Sequence, residues 1–325
     1  MGGGSLPAPQ PSFMASTTAI ANNFAARRRR WRWPRFTMAI PAWVWYVVFF
    51  VLPILVIVLY SFGYKPALGT SQSSIGLDRL SFENYTNVFS PTFRLTFVAT
   101  MRVAIIGTLL CLSVGFPLAY FLATKTSPRF RGILLGLVII PFWTSFLLRT
   151  FAWRILLAAN GFLSVWLQDI GLINGPFEIL DTRGAVQLGV LYNYLPLMVF
   201  PLFVALDRLD PALREASKDL GANRLKTFFQ ITVPLAMPGI VSGLLLVFIP
   251  LAGEYVTPSV LGGAKGLMAG GLVASQFLEA LNWALGSAMA VVLVLLILAA
   301  VVVFGLVGWI AARLIKRRRR VEVPA

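Results

Sequence analysis

Asp210 to Pro238 reads DPALREASKDLGANRLKTFFQITVPLAMP, a charged island inside a very apolar chain. Asp210 is suited to cap a helix with its carboxylate, and Pro211 at the first helical position gives up only an N–H that would have been unpaired anyway. Ala212, Leu213, Glu215, Ala216, Lys218 and Leu220 carry that helix on, and Gly221 follows as the residue best able to take the left-handed conformation that ends it. The pattern predicts a second helix from Asn223 to Ile231, stopping before Pro234. Leu213, Ala216 and Leu220 share one face, with Arg214, Glu215, Lys218 and Asp219 elsewhere, so the first helix is built to lie on something. The alternative, usual for a run of charges, is a solvated loop between two helices.

The surroundings of this island are those of a membrane protein. Of 325 residues, 58% are apolar and only 12% charged, with a mean hydropathy of +0.80. That is about half the charge of a typical soluble domain. The net charge of +16 suggests a nucleic-acid partner until its distribution is read. Arg27, Arg28, Arg29, Arg30, Arg32 and Arg35 at one end, and Arg313, Lys316, Arg317, Arg318, Arg319 and Arg320 at the other, flank apolar spans and suit anionic headgroups of the bilayer; no nucleic acid is implied. The single cysteine, Cys111, excludes an intrachain disulfide and a cysteine-rich metal site, and the absence of histidine removes the commonest metal ligand and general base.

Six charge-free runs are long enough to span. Twenty-nine residues separate Arg35 from Lys65, twenty-two Arg102 from Lys125, seventeen Arg131 from Arg149, twenty-three Arg183 from Asp207, twenty-seven Lys226 from Glu254 and thirty-three Glu279 from Arg313. Crossing the hydrocarbon takes about 20 residues. The third run is short, and its span extends to Arg149 or beyond if that arginine reaches the interface. Ile155 to Gln168 is too short to span, is broken at Asn160-Gly161, and reads as an external helix at the interface. Met1 to Ala26 is Gly-, Pro-, Ser- and Ala-rich without periodicity and reads as a disordered tail.

Lysine and arginine orient the spans. With both termini cytoplasmic, the inner segments hold twenty of the 28 cations and the outer segments six, Arg102 and Arg149 lying near span ends. The bias of Lys and Arg toward the cytoplasm therefore places the island inside, between the fourth and fifth spans. The expected fold is an all-α polytopic membrane protein of six transmembrane helices.

Glu215-Ala216-Ser217, then Gly221, then Ile231, then Val233-Pro234, resembles the EAA loop of binding-protein-dependent ABC import permeases. Ser217 stands where that family usually has alanine, and Val233 where it has leucine. The resemblance covers about residues 84–310. Further stretches, Leu191-Tyr192-Asn193-Tyr194-Leu195-Pro196, Leu206-Asp207-Arg208-Leu209-Asp210, Leu246 to Pro258 and Leu261-Gly262-Gly263, resemble the first permease subunit of spermidine/putrescine importers, the bacterial inner-membrane polyamine branch. Permeases for phosphonate, ferric iron or sulfate share much of this outline. A secondary transporter is a further alternative, against which stands the lack of internal duplication.

The resemblance implies a division of labour. The chain would be a permease subunit with no catalytic residue, metal or cofactor of its own, since no GxxxxGK[ST] phosphate loop is present. ATP and Mg would sit on two partner ATPase subunits, a second permease subunit would complete the path, and an external polyamine-binding protein would deliver the cargo. The helix from Pro211 to Leu220 would be the coupling helix, with Leu213, Glu215, Ala216, Ser217, Leu220, Gly221, Ile231 and Pro234 as ATPase-coupling residues. The chain then divides into a disordered basic cytoplasmic tail (1–35), a first transmembrane helix (36–64), an external loop (65–96), a permease core (97–312, coupling loop 208–239) and a basic cytoplasmic tail (313–325).

Charge within a span is costly, so Glu254 is a functional candidate. A polyamine is a flexible chain of ammonium groups, which a carboxylate and aromatic faces can accept in place of water. Glu254, Tyr255, Tyr192, Tyr194 and Trp143 are the candidates for the substrate path. Glu254 could instead lie at the outer headgroup level, or pair with Arg149 to hold spans together. Pro250, Gly253 and Pro258 predict an interrupted helix around it, and irregular backbone at this depth is tolerated where it packs in protein or lines a cavity. Arg102 and Arg149 either guide an anion, as for sulfate or phosphonate, or snorkel to the interface.

Overall fold

The computed structural model describes Gly2, residues 34–66 and residues 75–321, with side chains described within 39–66 and 75–306. The tail expected over 1–35 lies almost wholly outside the described residues, as do the middle of the external loop and the side chains of the basic carboxyl tail. The chain forms two units, residues 1–59 and 60–325.

In the first unit, α1 (Pro34–Tyr46) passes through a π-helical turn, Val47–Val51, into α2 (Leu52–Tyr60). Residues Ala39–Tyr60 are long and apolar enough to cross a membrane. Trp43, Phe49, Phe50 and Leu55 all stand exposed, as befits a surface meant for hydrocarbon.

The second unit carries α3 (Glu83–Val88), α4 (Pro91–Thr124), α5 (Pro128–Trp143), α6 (Phe146–Leu156), α7 (Phe162–Asp169) and α8 (Arg183–Asp207). It continues with α9 (Pro211–Asp219), α10 (Arg224–Thr227), a π turn (Phe228–Thr232), α11 (Val233–Gly253), α12 (Val256–Gly262), α13 (Ala269–Leu278) and α14 (Trp283–Val321). Among the described residues there is no strand, only an isolated bridge between Tyr64 and Gly76. Among the described residues, five helices are long and apolar enough to span, or six if the bent pair α5 and α6 is one span.

The core is the packing of α4, α8 and α11. Hydrocarbon solvent gives apolar side chains no reason to leave it, so helices associate in a bilayer by close fit, and small residues supply that fit. Along α4, Ala104, Gly107, Cys111, Gly115 and Ala119 recur every three or four positions and are buried. A Cβ on Gly107 would lie 2.7 Å from Val190 on α8, and one on Gly115 would lie 3.0 Å from Met198.

Four boundaries differ from the charge-based reading. Helix α4 begins at Pro91, well before Arg102, because Ser90 caps it by accepting from Phe93 N, and the exposed Arg94 and Arg102 do not interrupt it. The third span breaks: Thr144 and Ser145 turn extended, the Thr144 hydroxyl bonds back to the Pro141 carbonyl at 2.7 Å, and α6 leaves α5 at 90°. The helix expected from Ile155 to Gln168 is divided, Ile155 and Leu156 closing α6 and the rest forming α7 after Gly161. The helix expected to stop before Pro234 does not stop. Residues Arg224–Gly253 run on as one spanning helix, and the π turn absorbs the N–H that proline lacks: Val233 N reaches back five residues to Phe228 O.

Candidate functional site

Two sites emerge, one at the end of α8 and one at the end of α11. At the first, Asp210 caps α9 by accepting from Ala212 N at 2.9 Å, Pro211 takes the first turn, and Leu220 closes the helix. Gly221 has φ +79°, the left-handed turn that its position requires. Leu213 and Leu220 stand 47% and 89% exposed, and Glu215 and Ala216 are exposed beside them. An apolar row with nothing over it is a contact surface rather than a core face. Ser217 turns the other way: its hydroxyl and that of Thr227 on α10 lie 3.1 Å apart and bind the two short helices together. Ile231, in the π turn, and Pro234, at the start of α11, are half-buried and root this unit in the spanning helix. Between α9 and the end of α4 lies a polar groove of about 400 Å³, lined in part by Tyr120, Lys125, Glu215, Lys218, Arg224 and Phe228.

At the second site α11 ends at Gly253, and Glu254 stands in an extended conformation at the break before α12. Its Oε1 accepts from Thr257 N at 2.6 Å and its Oε2 from the Tyr194 hydroxyl at 3.4 Å, which leaves the carboxylate half-buried. Beneath it, Asn193 Nδ2 donates to Thr150 Oγ1 at 3.3 Å and to Thr257 Oγ1 at 3.4 Å, joining α6, α8 and α12. A Cβ on Gly270 would sit 2.5 Å from the Gly253 carbonyl, so only glycine lets α13 come this close to the break. The arrangement offers a cation one partly exposed carboxylate with aromatic surface beside it.

Residues 115–321 match the family model described as a binding-protein-dependent transport system inner membrane component. The spermidine/putrescine transport system permease protein PotB of Haemophilus influenzae is 37% identical over 291 residues, covering 90% of this chain and 98% of that protein. The chain belongs to this inner membrane component family. The PotB of Escherichia coli is likewise 37% identical, over 278 residues, covering 86% of this chain and 98% of its own length. Among solved structures, a bacterial ABC transporter involved in the import of the acidic polysaccharide alginate has a chain of the same fold, with a TM-score of 0.69 at 17% identity over 86% of this chain and 95% of that one. The protein is a multi-pass inner membrane transport component, and its helices are those of a permease.

Within this inner membrane component the path candidates divide. Tyr194 meets Glu254 and is 6% exposed, whereas Tyr192, two positions away and so on another face of α8, is 37% exposed and packs edge-on against Trp153 at 5.4 Å. Tyr255 is 40% exposed, next to Glu254 but without a hydrogen bond to it among those described. Trp143 stands 86% exposed at the end of α5, apart from the cluster. Glu254 does not pair with Arg149, and Arg149 does not snorkel: it is 7% exposed, on the inner face of α6. Sequence reasoning missed Thr150, Asn193 and Thr257. Their signal is the neutral polar residue inside an apolar span, which in a bilayer needs a partner.

Proposed function

We propose that this chain is a permease subunit of an ATP-driven importer and forms part of the path for linear polyamines of the spermidine and putrescine class. The observation that carries this reading is the half-buried Glu254 carboxylate, held by Thr257 and Tyr194 where α11 is broken. An ammonium group leaving water needs an anion and polarisable faces, and the site supplies both. The likeness to PotB over nearly its whole length supports the same cargo class.

In this reading the bent pair α5 and α6 counts as one of six spans, and the excess of Lys and Arg puts both termini in the cytoplasm. Helix α9 is then the coupling helix. Leu213, Ala216 and Leu220 enter a groove of a partner ATPase with Glu215 as the charged contact, and Gly221 turns the chain back toward the membrane. The ATPases bind ATP and Mg, a second permease subunit closes the path, and an external binding protein delivers the polyamine. Closure of the ATPases draws α9 inward, and α10, the π turn and α11 carry the displacement to the break at Glu254.

The test is uptake by vesicles carrying the chain with its partner subunits and binding protein. Accumulation of labelled spermidine or putrescine on ATP addition is the expected result. Uptake of sulfate or ferric ion in place of polyamine overturns the assignment.

A further inference from the structure

Arg149 is the buried charge that this mechanism leaves unused. Its Nε and Nη1 atoms are shut off from solvent and have no hydrogen-bond acceptor among the described residues. The guanidinium carbon lies 5.5 Å from the Phe142 ring centroid and 5.8 Å from that of Phe146. Such faces attract a cation without accepting its N–H groups. A guanidinium has five donors and keeps its charge, so one buried in a span calls for a named counter-ion.

The contacts lead to Glu254. Phe146 packs edge-to-face against Tyr194, with centroids 6.4 Å apart, and Tyr194 donates to Glu254. Tyr194 is within electrostatic reach of both charges. The elements packed on α6 are α7, α8 and α12. Of the carboxylates on these elements or two residues before them, Asp169 is exposed at the end of α7, Asp181 is exposed ahead of α8, and Asp207 is held by Arg131 at the far end of α8. Glu254, two residues before α12, is the remaining one. Its bond to Tyr194, at 3.4 Å, is the weaker of its two and the easier to give up. Arg149 sits one turn into α6, its N–H bonded to the Ser145 carbonyl, just past the extended Thr144-Ser145 break at which α6 turns away from α5.

We propose that Arg149 is a positioning residue for cargo release: its guanidinium takes over the Glu254 carboxylate from Tyr194 as the ammonium leaves, so that the cargo is not held. The inference rests on the polyamine path reading. A carboxylate without a competitor would hold a polyamine tightly, and tight holding of the cargo does not speed its passage.

The experiment uses the reconstituted complex with its partner permease and ATPases. Two quantities are read: dissociation of labelled spermidine from the isolated complex without binding protein, and maximal ATP-driven uptake with it. Arg149→Gln should slow both, by about three- to tenfold, while Arg149→Lys keeps the charge and stays near the unsubstituted values. Slower uptake with unchanged or faster dissociation makes Arg149 structural and overturns the proposal, as does no change in either. Should Arg149→Gln fail to assemble, Arg149→Gln with Glu254→Gln removes both charges and is compared with Glu254→Gln alone. Equal dissociation in those two supports the proposal, and a further slowing on loss of Arg149 overturns it. If Glu254→Gln alone leaves spermidine retention and uptake untouched, the path reading fails instead, a different result from either.

Discussion

Arg131 in the first turn of α5 forms an ion pair with Asp207, the last residue of α8, and its Nη2 also donates to the carbonyls of Ala123 at 3.0 Å and Thr126 at 3.3 Å. One side chain thus joins the ends of α4, α5 and α8 just ahead of α9. It is the only ion pair among the described residues. Both partners are about a third exposed, so the pair adds only about 0.5–1 kcal/mol to stability. Its value is geometric, as a fixed root for α9 in the proposed coupling. Arg131→Gln should leave the complex assembled while lowering polyamine taken up per ATP hydrolysed, severalfold. Exchange of the two charges, Arg131→Asp with Asp207→Arg, should recover part of the ratio, and no recovery would discount the pair.

Gly221 has φ +79° and open space around it: a Cβ would meet nothing within 4 Å. The cost of a side chain there is purely one of backbone conformation, about 1–2 kcal/mol for most residues and less for asparagine. Gly221→Ala should therefore weaken retention of the ATPases by roughly tenfold, and Gly221→Asn by less, in pull-down of the assembled complex. Equal effects would point to a steric cause that the structure does not contain.

Much of α9 and its caps was legible because their signals are local. A cap at Asp210, a proline at the first turn and a glycine at the end depend on neighbours in sequence, and α9 formed within a residue of the reading. The breaks were less legible. Loss of charge marks hydrocarbon depth but says nothing of backbone continuity, so the bend at Thr144-Ser145 and the π turn before Pro234 were not anticipated. Pro250, Gly253 and Pro258 did announce the break at Glu254. The links from Asn193 to Thr150 and Thr257 span 43 and 64 residues of sequence, and no periodicity reveals such pairs.

Asn193 spends both donors on Thr150 and Thr257 in a buried setting, 2% exposed. Asn193→Leu removes the donor that both hydroxyls accept from, Thr150 keeping its own bond to the Phe146 carbonyl at 3.0 Å, and should cost about 1 kcal/mol, seen as a lower melting temperature of the purified protein. Because this bridge positions Thr257, and Thr257 N holds Glu254, uptake should fall by more than the loss of folded protein explains.

Glu254→Gln removes the charge and keeps the shape. The amide oxygen can still accept from Thr257 N, and the Tyr194 hydroxyl can turn to accept from the amide N–H, so the fold and assembly should persist. Polyamine uptake should fall by on the order of tenfold or more, since an ammonium in a site of low dielectric loses the carboxylate that faces it. Glu254→Asp keeps the charge but draws it back by one methylene from Tyr194, and should fall between the two. Unaltered uptake in Glu254→Gln would return the residue to a purely structural role.

Gly239 marks where α11 crosses α8 most tightly. A Cβ there would sit 2.4 Å from Ala205 Cβ and 2.7 Å from the Pro201 carbonyl oxygen. Neither obstacle is the end of a flexible chain: one is a methyl on a helix and the other is backbone, so relief requires the two helices to separate. Gly239→Ala should cost about 1–3 kcal/mol, in the range of overpacked cores, and lower the melting temperature in detergent. The same methyl at Gly136, where nothing lies within 4 Å of the added Cβ, should be neutral or slightly stabilising because alanine favours helix over glycine. If both substitutions behaved alike, close packing of α8 on α11 would not be what holds the core together.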